Sequence, residues 1–359
     1  MEKITNGKKI LIIGTMFIVG SYFLFLSLVK AQGFLAPLLM AIVLALLMIP
    51  LSNKLEKSFL NRGFSSLAST LMLFVISLGV FALLSFQIKN FVDDWELIKD
   101  KMHPKIEQAE NFIYDHTALS KENFETYKEN NDLSSMGGSS SAGQKAFSFM
   151  TSVLSFLSSY LLVFIYIFFL LNYRKKFKNF FLKLAPDDKQ NETNKIINKT
   201  ATLVQQYLVG KSFLIILLTV LYSIGLGASG VDNFILISFI GAFLSLIPFI
   251  GNIIGFGLAL VFGYLTTGDL SVLIGIIITF VVVQFIESYI LEPYVVGDKV
   301  NLHPFLVILS IILGNMVWGI IGMILAIPVL GILNIIFNHV PSLKPFGYLL
   351  SIDKKKDNS

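Results

Sequence analysis

Glu287 is the residue whose type and setting most demand explanation. It lies in the C-terminal part of an apolar run, Leu270 to Leu291, after Phe280 to Ile286 and before Tyr289-Ile290-Leu291. A carboxylate at such depth is expensive and marks a functional site by default. It could take up a proton, coordinate a cation or accept hydrogen bonds from a polyol. The alternative is a Glu287 near the membrane boundary that only pairs with a neighbour. Gln284 lies three residues earlier and shares its helical face. Asn252 and Asn315 each stand at an interruption of a long apolar stretch, where an amide binds either freed backbone groups or a solute. Ser245 is a weaker candidate, because a hydroxyl can bond back to its own helix.

Backbone breakers surround these groups. Pro248, Gly251 and Asn252 fall within one five-residue break, and Gly319 and Gly322 follow Asn315. The connection Glu292-Pro293 through Gly297 and Asp298-Lys299 to His303-Pro304 is polar, with each proline forcing extended backbone before it. It reads as a gating loop or as a plain connecting turn. The glycines Gly251, Gly255, Gly257, Gly319 and Gly322 permit close helix approach.

Enzymatic chemistry finds no support. HExxH, P-loop and GxSxG signatures are absent, and the four histidines (His103, His116, His303, His339) are scattered. With no cysteine, disulfides, thiolate nucleophiles and Cys-based metal sites are excluded. No metal site and no cofactor are expected. The net charge of +5 is clustered in particular loops and does not indicate nucleic acid.

The elements that must position these groups are membrane spans. Only 14% of residues are charged, 55% are hydrophobic and mean hydropathy is +0.75, far from a soluble protein. The expected fold is therefore all-α, a polytopic helical integral membrane protein of about eight membrane segments, the two long C-terminal ones broken or re-entrant. Residues 1–88 hold three spans, about Ile10–Val29, Phe34–Leu51 and Leu67–Ile88, with the first retained because it exceeds a signal-peptide core. Residues 89–146 are a hydrophilic insertion with an amphipathic helical stripe (Phe91, Trp95, Ile98, Met102) and a Gly/Ser linker. That stripe reads as local packing or as a surface for oligomerisation or a lid. Eleven acids against seven lysines place it outside the cytoplasm.

Residues 147–172 are the fourth span. Residues 173–211 form a basic segment of nine Lys or Arg and three acids, a positive-inside signal. Ile196, Ile197, Thr200, Leu203, Val204 and Tyr207 suggest an amphipathic helix along the cytoplasmic interface, where the bases contact membrane lipid or only set topology. Residues 212–338 are the core with broken segments, and 339–359 a basic cytoplasmic tail.

Within that core, Asn233 to Thr266 and Pro304 to Phe337 are each about 34 residues, about 50 Å of helix and too long for one straight crossing. Each has a central Pro or Gly break, and they flank one ordinary span. Paired broken segments point to a binding site. Either both cross, giving eight crossings, or both are re-entrant hairpins, giving six. Both versions put both termini in the cytoplasm.

Three stretches from Ile240 onward resemble the AI-2E family of bacterial membrane proteins. They are Ser245-Leu-Ile-Pro-Phe-Ile-Gly251; Gln284-Phe-Ile-Glu287 continuing to Glu292-Pro293 and Gly297; and Leu302-His303-Pro304 with Gly314 and Gly319-Ile-Ile-Gly322 through Pro328. Gln206-Tyr-Leu-Val-Gly210 also resembles the family pattern. The likeness covers about the last 150 residues closely, and earlier ones by hydropathy and loop placement. It implies a transporter of the bacterial cytoplasmic (inner) membrane and a homo-oligomer, a pentamer among its forms. It also implies export of the quorum-sensing signal autoinducer-2 or, for some members, sodium/proton antiport. A neutral signal calls on Gln284, Asn252 and Asn315; antiport calls on Glu287. Without an ATP-binding motif, a secondary transporter working by alternating access is the expectation. A non-transporting membrane scaffold is the alternative of another class.

Overall fold

The computed structural model describes residues 6–58, 60–93, 104, 158, 160–247, 250–264, 267–295 and 301–352. Most of the expected 89–146 insertion, the start of the fourth span, Pro248, Gly297 and the basic tail beyond Ile352 lie outside these residues. Every regular element among them is helical. That follows from composition, since apolar runs in lipid must satisfy their backbone groups internally. The helices are α1 (Asn6–Lys30), α2 (Gln32–Ser58), α3 (Arg62–Asp93), α4 (Tyr160–Asn172), α5 (Arg174–Leu184), α6 (Gln190–Ala228), α7 (Phe234–Leu244), α8 (Ile250–Ala259), α9 (Leu270–Ile286), α10 (Pro304–His339) and α11 (Lys344–Leu350).

Among the described residues, six helices are long and apolar enough to cross a membrane: Leu11–Lys30, Gln32–Ser58, Arg62–Val80, Asp187–Ala228, Leu270–Leu291 and Pro304–His339. The chain is an integral membrane protein of the polytopic helical class. It divides into two compact units, one of Met1–Phe74, Ser159–Gly210 and Val296–Ser359, the other of Val75–Ser158 and Lys211–Val295.

In the first unit, Ala41, Ala45 and Met48 of α2 pack on Phe164, Ile167 and Leu171 of α4. Val43, on another face of α2, meets Leu203 and Val204 of α6 and Leu325 of α10. Trp318 donates its indole N–H to the Leu28 carbonyl at 3.0 Å, tying α10 to α1. The backbone reverses within α10: Trp318 (φ −137°, ψ 22°) and Gly319 (φ 59°, ψ −138°) leave helical geometry. Gly314 and Gly322 then meet backbone to backbone, and a Cβ on Gly314 would stand 2.7 Å from the Gly322 carbonyl carbon. Eight residues of straight helix would separate them by about 12 Å. The second over-long segment is therefore a helical hairpin with its corner at Trp318–Gly319. The corner needs a glycine, since a positive φ with this ψ is closed to residues with a Cβ.

The second unit contains the other hairpin. α7 and α8 replace the first over-long segment by two short helices. α7 has 11 residues, about 17 Å, well short of a bilayer's roughly 30 Å hydrocarbon core. Their crossing is glycine on glycine, for a Cβ on Gly255 would lie 2.8 Å from the Gly241 Cα. A Cβ on Gly251 would collide with the backbone of Leu244 and Ser245. α8 ends in a π turn, Leu260–Tyr264, and α9 continues into another, Glu287–Leu291, followed by a short helix, Glu292–Val295. Around them Leu214, Leu218, Tyr222 and Leu226 of α6 pack on Ile276, Phe280 and Val283 of α9.

One expectation differs in detail. Ile196 to Tyr207 is not a helix of its own. It is the first half of α6, which runs unbroken for 39 residues and buries Leu203, Val204 and Tyr207 against protein. Gly210 stands between its polar and apolar halves, and a single glycine there costs about 1 kcal/mol, too little to break a packed helix.

Candidate functional site

Three of the residues singled out from the sequence converge in the second unit. The α7–α8 hairpin delivers Asn252 in the first turn of α8, where Gly251 lets the backbone approach Leu244. α9 begins with Asp269 capping the Ser271 N–H (3.2 Å) and carries Gln284 and Glu287 on one face. The Asn252 Nδ2 donates to Gln284 Oε1 and, at 3.1 Å, to Glu287 Oε2. Two acceptors on the same side fix the orientation of the amide. The Asn252 Oδ1 then points away, buried and without a hydrogen-bond partner among the described residues. Gln284 in turn donates its Nε2 to Ser288 Oγ at 3.0 Å.

Glu287 is only 5% exposed and opens the π turn that continues α9. π turns are rare and concentrate at functional sites. A cavity of about 340 Å³ borders Asn252, Gln284, Glu287, Lys211, Ser245 and Glu292. Lys211 is nearly buried, with its Nζ 3.7 Å from Oε1 of the half-exposed Glu292. It also lies within electrostatic reach of Glu287, as does Tyr222, whose buried hydroxyl has no hydrogen-bond partner among the described residues. The site thus holds two carboxylates, one lysine, two amides and an unclaimed carbonyl oxygen. Such a set can bind a hydrogen-bonding solute, hold a cation on oxygen atoms, or exchange a proton at Glu287. Among the described residues no cluster of three His, Cys, Asp or Glu forms a metal site.

The remaining residues are placed elsewhere. Asn315 belongs to the other unit, exposed on the first arm of α10, and makes no part of this cavity. Gly319 forms the corner of that hairpin and Gly322 its contact with Gly314. His303 precedes α10 with its side chain exposed, and its backbone N–H donates to the Leu350 carbonyl at 2.8 Å. Pro304 occupies the first turn of α10, where a proline costs nothing. Pro293 sits in the short helix after the π turn. Ser245 spends its hydroxyl on the Ala242 carbonyl, 2.6 Å away, as a helix-satisfied serine does.

Lys211 and Tyr222 were not singled out from sequence. The signal for Lys211 was present, for it is the basic residue enclosed by Tyr207-Leu-Val-Gly on one side and Ser212 to Ala228 on the other. Counting it with the topogenic bases hid it.

A membrane-embedded bundle with a small polar cavity walled by a helical hairpin is the architecture of a protein that handles a polar species within the bilayer. The pattern named AI-2E family transporter matches residues 11–342, and the chain belongs to that family of transporters. It is similar to the Bacillus subtilis protein named "Putative transport protein YueF", 24% identical over 320 residues, 86% of this chain and 84% of that one. A second Bacillus subtilis transport protein of the same description, YrrI, is 31% identical over 133 residues, 37% of each chain. The Borreliella burgdorferi protein named "Putative transport protein" is 28% identical over 206 residues, 55% of each.

Proposed function

We propose that this transporter is a secondary exporter of a small polar solute with the size and hydrogen-bonding character of autoinducer-2, working by alternating access around the Asn252–Gln284–Glu287 cavity. One observation carries the reading. The buried Asn252 Oδ1 has no partner among the described residues, although its own amide nitrogen is doubly engaged. An unmet buried acceptor costs about 1–3 kcal/mol, and a donor from a bound solute relieves that cost. A cavity of about 340 Å³ falls in the range of small-ligand sites. Energy comes from an ion gradient or from downhill efflux.

A second reading, cation/proton exchange, is favoured by a specific feature: the cavity offers two carboxylates against one lysine. An uncompensated negative charge and the free Asn252 amide oxygen suit a monovalent cation that alternates with a proton on Glu287. The setting in either case is the bacterial cytoplasmic membrane, with both termini cytoplasmic and residues 89–146 outside. The shortness of α7 and the corner in α10 support two re-entrant hairpins and six crossings. Homo-oligomerisation belongs to the same proposal, and the wholly unburied α1 leaves a face for lipid or a second copy.

Proteoliposomes of purified protein test both readings, offered autoinducer-2 or sodium with and without a pH gradient. Autoinducer-2 movement that survives Glu287→Gln but not Asn252→Ala supports the solute site. Gradient-driven sodium movement abolished by Glu287→Gln supports exchange. If neither autoinducer-2 nor sodium moves faster than in protein-free liposomes, the scaffold reading replaces both.

A further inference from the structure

α5 buries none of its residues, yet it is strongly two-sided. Its sequence, Arg174-Lys-Lys-Phe-Lys-Asn-Phe-Phe-Leu-Lys-Leu184, carries five cations and no acid. Phe177, Phe180, Phe181 and Leu184 follow the spacing i, i+3, i+4, i+7 and so share one face. Those four side chains are 46–66% exposed. Asn179 lies on the opposite side, about 150° from the centre of the apolar stripe, and Lys176 and Lys183 flank the stripe at about 90° and 110°.

The helix is also held in place. Arg174 donates to Asn53 (Nε at 3.1 Å, Nη2 at 2.9 Å), to the Leu171 carbonyl (2.8 Å) and to Glu56, clamping the start of α5 to the end of α2. Lys178 reaches Asn198 of α6 at 3.3 Å. The preceding apolar helix α4 ends at Asn172, a single residue before α5 begins. A membrane segment therefore feeds directly into a short, fixed, amphipathic cationic helix with an uncovered aromatic face.

We propose that α5 lies in the membrane–water interface on anionic lipid, its aromatic face in the acyl boundary and Lys176 and Lys183 among phosphate headgroups. Charge complementarity selects this occupant. Arg174 and Lys175 pair with Glu56, but Lys176, Lys178 and Lys183 have no ion pair among the described residues. A protein partner covering four aromatic and aliphatic side chains has no need of them, whereas an anionic leaflet attracts each exposed lysine. Lysines flanking the apolar face reach headgroups while their stems stay apolar. Membrane-surface helices use this combination of aromatic and basic residues.

The complete absence of cysteine makes a clean experiment possible. Phe180→Cys and Asn179→Cys are made separately in the full chain and labelled with a nitroxide. The labelled proteins are reconstituted in phosphatidylcholine alone or with roughly a third phosphatidylglycerol. Collision with oxygen, which prefers lipid, is compared with collision with a water-soluble nickel chelate. The expected result is an oxygen preference at 180 and a nickel preference at 179, with the label at 180 deeper in the anionic bilayer. Lys176→Gln with Lys183→Gln should remove that lipid dependence while leaving the elution volume of the purified protein unchanged. A label at 180 as open to nickel as that at 179 overturns the proposal. So does a label at 180 shielded from both reagents, which means protein covers the face. A depth indifferent to phosphatidylglycerol overturns the anionic-lipid assignment.

Discussion

The two helical hairpins use one device and differ in what they carry. Both arise from apolar segments too long for one crossing, and both close on glycine pairs, Gly241 with Gly255 and Gly314 with Gly322. The α7–α8 hairpin brings Asn252 against Gln284 and Glu287 of a neighbouring helix and walls a cavity. The α10 hairpin turns at Trp318–Gly319 and leaves its own asparagine, Asn315, exposed. A break in an apolar segment is thus a way of folding back within a limited depth. It becomes a candidate site only where a second helix supplies polar partners to whatever the turn delivers.

The sharpest challenge to this comparison is Gly251→Ala beside Gly322→Ala. Each places a methyl group into opposing backbone that has no flexible end to move aside, and overpacking of this kind costs about 1–3 kcal/mol or more. Both variants are expected to lose thermal stability in detergent, and Gly251→Ala in addition to lose transport. Equal loss of transport in both variants, at matched stability, would break the distinction between the two hairpins.

Glu287→Gln against Asn315→Ala comes next. The first removes the carboxylate without changing shape and, where the cavity exchanges a cation for a proton, should reduce sodium flux at least about tenfold, equivalent to 1.4 kcal/mol, while autoinducer-2 flux persists. The second alters an exposed amide outside the cavity and should leave flux unchanged. Asn252→Ala deletes the donor to both Gln284 and Glu287, so apparent affinity should weaken by about five- to a hundredfold, matching 1–3 kcal/mol for a buried partner lost. A saturation curve for the transported species measures it.

Lys211→Gln leaves Glu287 and Glu292 facing each other's charge without a cation. Flux should fall several-fold and recover in part when Glu292→Gln is added. Strict additivity of the two changes would show that the pair is not coupled. The smallest effect belongs to Ser245→Ala. Its hydroxyl already serves the Ala242 carbonyl, so flux should stay within about twofold, as expected of a self-satisfied helical serine.

Much of this arrangement was legible beforehand, and for identifiable reasons. The spans follow from apolar length alone, and the two reversals lie where Pro248-Phe-Ile-Gly251-Asn252 and Gly319 announced them. Gln284 and Glu287 were paired by helical spacing. Asn252 joined them because polar groups in an apolar segment have few other partners. Asn315 carried the same local signal and went elsewhere, because nothing local encodes which neighbouring helix a turn will face. Lys211 was obscured for a related reason. The change from polar to apolar surface within Gln190–Ala228 reflects a change of surroundings along one helix, while the backbone continues unbroken. Hydropathy reports the surroundings and is silent about the backbone.

The π turn at Glu287–Leu291 has a mechanical consequence. It lodges one surplus residue in α9, so Glu292 and the helix after it are set back by about 100° from where a regular helix would point them. That offset decides which side of the helix Glu292 presents, and with it the 3.7 Å approach of its carboxylate to the Lys211 Nζ. One inserted residue thus works as an angular spacer between two carboxylates five positions apart.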